Sequence, residues 1–276
     1  LLIKDPNQPP LVKRAGESDS FLAKLDEAYA RERIEFEDSP WPFVGGWFVY
    51  LGYEVAGEIE PSLQLPQSDA PMAWMIRCNA AIIVDHDKRI CDWIAESDDL
   101  FDPQHIAQWQ QLLSASSKTS NHSATTNITL IEDPPEQYMD AVEQALEHIR
   151  AGNVYQANLA RQWRAMIDAS IKGVDLYSAL RQANPGPFAA LAHLDDFEII
   201  STSPERLFKI RGSRIDTRPI AGTRPRAGNE QAMRDELRHN PKEIAEHVML
   251  IDLERNDLGK LCQAGSVVVD EWMVIE

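Results

Sequence analysis

The chain has 276 residues, 43% hydrophobic and 26% charged, with a formal net charge of −17. That length holds one large domain or two small ones, and the composition is ordinary for a soluble globular protein. The acidic balance argues against a nucleic-acid partner, which needs a basic face, and no apolar run approaches the ~20 residues that span a bilayer. The first ten residues, LLIKDPNQPP, lack a basic stretch followed by an apolar core, so no signal peptide is expected. Cys78, Cys91 and Cys262 are odd in number, widely spaced and form no CxxC pair. They argue against a disulfide framework or a zinc site and fit a cytoplasmic protein.

In chain order, WPFVGGWFVYLGYE (41–54) is aromatic and β-branched around a Gly45-Gly46 pair. It predicts a buried strand with a bend at the glycines. Residues 73–97 predict two strands joined by a hairpin at His86-Asp87-Lys88, so residues 1–113 form a β-rich N-terminal part that closes on a helix over 98–113. SASSKTSNHSATTN (114–127) has no apolar period, and 114–132 is expected as a linker. Asp133-Pro134-Pro135-Glu136 then carries a helix start, with Asp133 as the N-cap and Pro134 as the first helical residue. Tyr138, Val142, Ala145, Leu146 and Ile149 give that helix one apolar face, and Gly152 stops it. Residues 153–167 alternate as a strand, and a second helix covers 173–183. Several strands with short turns follow to about residue 223, then a strong helix over 241–261 and a strand over 266–276. A chain stopping in an apolar strand pattern suggests one part of a larger protein.

Five places carry candidate chemistry. RPIAGTRPR (218–226) frames a bare Ala-Gly-Thr centre with three arginines. Such a turn lets a ligand approach the backbone, and the arginines suit an anion, which the overall charge would otherwise repel. Gly222 and Thr223 either offer N–H and hydroxyl donors to a carboxylate or form a plain turn. Glu243 and Glu246 stand at i and i+3, neighbours on one helix face. They form either a solvated acidic face or a carboxylate pair of the kind Mg²⁺ takes together with water and substrate. Glu205, in STSPERLF, is either a partly desolvated general acid with a raised pKa or the partner of Arg206 or Arg218. Gln156, with apolar neighbours in VYQANLAR, is a site residue or a structural amide. His247 has no second His or Cys at ligand spacing and is read as structural.

NVYQANLAR, STSPER, TRPIAGTRPR and KEIAEHVMLIDLERNDLG, in this order, resemble the chorismate-utilising enzymes over about 133–276. PFVGGWFVYLGYE is similar to the N-terminal part of the members coupled to a glutamine amidotransferase. The resemblance implies an α/β (α+β) fold, two antiparallel sheets in a sandwich flanked by helices, and a Mg²⁺ cofactor. By the same resemblance Glu243 and Glu246 hold the metal, Glu205 protonates the departing C4 hydroxyl, and Gly222 and Thr223 meet a substrate carboxylate. Gln156 stands where isochorismate and salicylate synthases carry a water-activating lysine, which implies ammonia from an amidotransferase partner as the nucleophile. The segment Pro187-Phe188-Ala189 matches a place where some members hold tryptophan. The family's second half, with a further Glu pair, would follow Glu276.

Ala221 divides the ammonia users. Anthranilate synthases read PIAGT, whereas most aminodeoxychorismate synthases read PIKGT with a nucleophilic lysine, and alanine cannot attack. GNVYQANLARQW, PFVGGWFVYLGYE and the 65–97 stretch nevertheless resemble the aminodeoxychorismate enzymes. The expectation is therefore a PIAGT-type aminodeoxychorismate synthase component I that works without a covalent intermediate. The alternatives are anthranilate synthase component I and a non-catalytic amidotransferase-binding relative.

Overall fold

The computed structural model describes residues 1–276 except 35–38, 67, 98–99, 101–105, 108–109, 112–128, 195 and 227. Two compact units emerge, Leu1–Ala124 and Thr125–Glu276. The helix expected over 98–113 falls mostly outside the described residues, as does the linker up to residue 128. Thr129–Glu132, expected as linker, is a strand.

The first unit is organised by one long strand. β4 (Ala73–Asp85) is an apolar run buried along most of its length. Its backbone N–H and C=O groups are buried with it and need partners on both edges. One edge takes β1 (Leu2–Lys4) and β2 (Leu11–Lys13), and the other takes β3 (Gly46–Leu51) and β5 (Ile90–Ala95), all antiparallel. The β4–β5 hairpin turns where the sequence predicts. Asp85 Oδ1 accepts from the amides of Asp87 and Lys88, and Arg89 closes the turn at φ 56°. Gly45 and Gly46 enter β3 at φ 127° and 133°, a conformation other residues rarely adopt. A Cβ on Gly45 would also collide with the Glu96 side chain.

This unit is not purely β. Helix α1 (Phe21–Glu32) packs Phe21 and Ala28 with Val55, Ala73 and Met75. Ser20 caps it, and Glu58 completes the cap from α2 (Ala56–Ile59), accepting from Phe21 N at 2.9 Å and Leu22 N at 3.1 Å. A serine followed by Phe21, Leu22, Leu25 and Ala28 was the available signal. Arg77 is buried among these elements. It donates to Glu32 at 2.8 Å, to both oxygens of Glu96 and to the carbonyls of Gly46 and Cys78, and it lies 4.8 Å from the Trp47 ring. A buried guanidinium is tolerable because its donors are satisfied.

The second unit contains three two-stranded antiparallel ribbons and four helices among the described residues. β6 (Thr129–Glu132) pairs with β7 (Trp163–Met166), β8 (Phe188–Leu194) with β9 (Phe197–Ser203), and β10 (Lys209–Arg211) with β11 (Arg214–Asp216). Helix α3 spans Pro135–Arg150, α4 spans Gly173–Ala183, α5 spans Glu230–His239 and α6 spans Pro241–Gly259. The mixed α/β class with antiparallel sheets is as expected.

Three sequence expectations need correction here. Helix α3 is capped by Pro134 rather than Asp133 and begins at Pro135. A residue before proline is kept out of the helical region, so the first proline of the pair stays extended. The strand expected over 153–167 survives only as β7, and the expected strand over 266–276 is absent. Neither 153–162 nor 266–276 finds a neighbouring strand among the described residues, and alternation without a ladder partner does not make a strand. Helix α5 went unforeseen, although Asn229 caps it and Met233 and Leu237 share a face.

Candidate active site

The second unit carries an open cleft of about 1080 Å³, whose walls include Glu205, the 218–226 turn and Glu243. Each wall has a local cause. Glu205 follows β9, and Pro204 stops the ladder there. The turn follows β11. Glu243 sits in the first turn of α6, whose start is fixed by Asn240: its Oδ1 accepts from Lys242 N at 3.0 Å and Glu243 N at 3.4 Å. Pro241 at the first helical position needs no donor there.

Glu205 and the turn are joined directly. Ile220 N donates to Glu205 Oε1 at 2.8 Å, which fixes a carboxylate beside Ala221, Gly222 and Thr223. Glu205 itself is exposed, so the desolvation expected from its apolar neighbours is not present. Its arginine pairing is not seen either: Arg218 pairs with Glu271 at 2.7 Å and Glu276 at 2.8 Å, and the buried Arg206 Nε has no hydrogen-bond partner among the described residues. Arg226 is exposed on the cleft.

Gly222 meets Glu243 on the other side. Its φ is +66°, and a Cβ there would come within 2.6 Å of Glu243 Oε2 and 2.9 Å of Leu237 Cδ1. Glycine is therefore required twice, by conformation and by space. Glu243 Oε1 accepts from Arg224 NH1 and NH2, each at 3.2 Å. The same guanidinium forks onto Glu236 of α5 at 2.6 and 3.0 Å, and Asn240 Nδ2 donates to Glu236 at 2.8 Å. The hydrogen bonds from Arg224 and then Asn240 hold the Glu236 carboxyl down at about 2. The Glu236–Asn240 part of this network was missed in the sequence, although Asn before Pro at a helix start is a capping signal.

The remaining candidates divide. Pro187 and Phe188 line the same cleft, whereas Ala189 is not part of its wall. Gln156 is exposed in the unladdered stretch before β7 and does not line the cleft. Glu246 is half-buried on α6, outside the lining. No group of three or more His, Cys, Asp or Glu gathers at metal-binding distance among the described residues. Two carboxylates alone still fit Mg²⁺, whose other positions go to water and substrate oxygen. In the cleft lining, burial pushes the Glu254 carboxyl up, and the charges of Glu205 and Asp257 add to this against an opposing hydrogen bond from Thr217.

A family model for chorismate binding enzymes matches residues 6–276. The chain belongs to the chorismate binding enzyme family. Within that family it is similar to the anthranilate synthase component I-like protein of Synechocystis sp., with 39% identity over 243 residues, 85% of this chain and 49% of that one. It is also similar to aminodeoxychorismate synthase component 1 of Bacillus subtilis, with 35% identity over 256 residues, 88% of this chain and 53% of that one. The chain thus spans about half the length of these curated relatives. The crystal structure of anthranilate synthase component I from Streptococcus pneumoniae shares the fold, with a TM-score of 0.79 at 24% identity over 100% of this chain and 64% of that one. No helix among the described residues is long and apolar enough to cross a membrane.

Proposed function

We propose that the complete protein makes 4-amino-4-deoxychorismate from chorismate and ammonia in the cytoplasm, and that a glutamine amidotransferase partner supplies the ammonia. One observation carries the chorismate chemistry of this reading: a carboxylate bonded to the Ile220 amide and a second carboxylate beside Gly222 flank one bare turn in one cleft. Residues 1–113 would form the N-terminal part and 133–276 the first part of the catalytic domain.

Glu205 is the general acid in this scheme. It protonates the hydroxyl leaving C4, and the Ile220 amide holds it in place for that transfer. Gly222 and Thr223 bind a substrate carboxylate through backbone N–H and hydroxyl groups, and exposed Arg226 draws the anion toward an otherwise acidic molecule. Glu243 and Glu246 would hold Mg²⁺, which when bound neutralises and polarises the ring carboxylate. Ala221 cannot form a covalent adduct, so ammonia itself adds at C2 as the protonated C4 hydroxyl leaves as water, and a second ammonia then adds at C4 as the C2 amine leaves as ammonia. Gln156, outside the cleft lining but matching by resemblance the place of a water-activating lysine, lacks that basicity, which favours ammonia over hydrolysis.

The second reading is anthranilate synthesis, favoured by Ala221 and by the Synechocystis relative's name. Both readings assign Glu205 the same acid role, and one substitution tests it. In the complete protein, Glu205→Gln should lower turnover by about 10²-fold or more while chorismate affinity, read by calorimetry, stays within about threefold. Turnover close to wild type would remove Glu205 from the chemistry.

A further inference from the structure

One guanidinium serves two carboxylates in the cleft wall, and it serves them unequally. Arg224 meets Glu236 through a two-pronged contact at 2.6 and 3.0 Å. It meets Glu243 through a single oxygen, Oε1, at 3.2 Å from both terminal nitrogens. Its NH1 also donates to the Thr223 carbonyl at 2.9 Å. Glu236 is in turn gripped by Asn240, the residue that caps α6 and fixes the start of the helix carrying Glu243. The side chain of Glu243 is only 13% exposed, so water does little to dilute a neighbouring charge, whereas Glu236 is 46% exposed.

The preferred guanidinium–carboxylate geometry is the two-pronged fork. Glu236 takes that fork. Without it, the guanidinium is free to turn its fork onto Glu243, cover both oxygens and cancel the charge that a divalent cation needs. We propose that Glu236 is a positioning residue that confines Arg224 to the Oε1 side of Glu243, keeping Glu243 Oε2 available to the metal beside Gly222. The inference rests on the metal-ligand reading of Glu243 and adds to it a residue on a different helix that never touches the ion.

Mn²⁺ binding to the complete protein, read by the loss of the free-ion electron paramagnetic resonance signal with and without chorismate, separates the two. Glu236→Gln should weaken Mn²⁺ binding by about tenfold, the scale of one charge-assisted contact. Arg224→Gln alone should bind at least as tightly as wild type. The double variant should return to within about threefold of wild type, because removal of the guanidinium removes what Glu236 restrains. If Arg224→Gln weakens binding and the double variant is no better than Glu236→Gln, Arg224 supports Glu243 instead and the proposal is overturned. Unchanged affinity in all three variants overturns it as well and leaves the metal reading standing. If wild type binds no Mn²⁺ at all, the metal reading of Glu243 fails and the proposal falls with it.

Discussion

The two units bury their apolar side chains very differently. In the first, Phe21, Trp74, Met75 and Ile82 are among a set of buried residues gathered on β4 and α1, with Val55 beside them from the turn before α2. In the second, Leu194 is the buried hydrophobic residue among those described, while Trp163, Leu207, Val268 and Trp272 stand exposed. None of α3 to α6 contains a buried residue. The first unit has five strands on a shared ladder, and the second divides its strands into isolated pairs. A helix satisfies its own backbone and forms wherever caps and spacing permit, whereas a strand and its apolar face need a neighbour. Exposed apolar side chains such as Tyr53 and Ile59 occur in the first unit too, but most belong to the unit that holds the cleft, in a chain about half as long as its curated relatives.

The contrast is sharpest in paired substitutions. Trp74 is fully buried and stacks on Phe48 at 5.4 Å, so Trp74→Ala should cost about 3–5 kcal/mol in urea denaturation. Trp272→Ala, at a residue 58% exposed, should change the stability of residues 1–276 by less than about 0.5 kcal/mol. Equal costs would erase the distinction between the units.

Within the second unit, one position should behave as though it belonged to a packed core. Gly222→Ala sets a Cβ against Glu243 Oε2 at a φ of +66°. It should lower stability by about 1–3 kcal/mol and reduce turnover of the complete protein by about 10²-fold. Gly228→Ala has a similar φ of +75° but open space around it, so it isolates the strain from the collision. An equal loss of turnover at both positions would show that contact with Glu243 is irrelevant.

Acid should affect the first unit through a known group. Burial alone would raise the Glu58 carboxyl, but the bonds from Phe21 N, Ser20 Oγ and Leu22 N outweigh it and leave the group below its ordinary 4.5. The unfolded chain then binds the proton more readily, so stability rises with pH across that interval. The contribution is fully present above the unfolded value and disappears as pH falls through the lowered folded value. Glu58→Gln should cost about 1 kcal/mol at pH 7 and flatten the acid slope of the unfolding free energy. An unaltered slope would mean that Glu58 does not anchor α1.

What could be read from the sequence follows the same division. The β4–β5 hairpin was legible because an apolar run, a polar turn and a second apolar run repeat the structure residue by residue. Helix α3 was legible from its apolar spacing, and the helices expected over 173–183 and 241–261 lie close to α4 and α6. The strands over 153–162 and 266–276 were overread, since alternation states a preference for a partner and does not supply one. At the site, Glu205, the 221–223 turn and Glu243 were found through motifs, and the cleft brings them together. Glu236 was not found, because its meaning depends on where α5 places it against Arg224, and no local pattern encodes that contact.

The identity of the product made by the complete protein from chorismate, Mg²⁺ and ammonium tests the central claim most directly. Separation by mass and fluorescence should give aminodeoxychorismate, convertible to p-aminobenzoate by an added lyase, with no fluorescent anthranilate. Anthranilate released with pyruvate would contradict the account and show that Ala221 outweighs the wider resemblance.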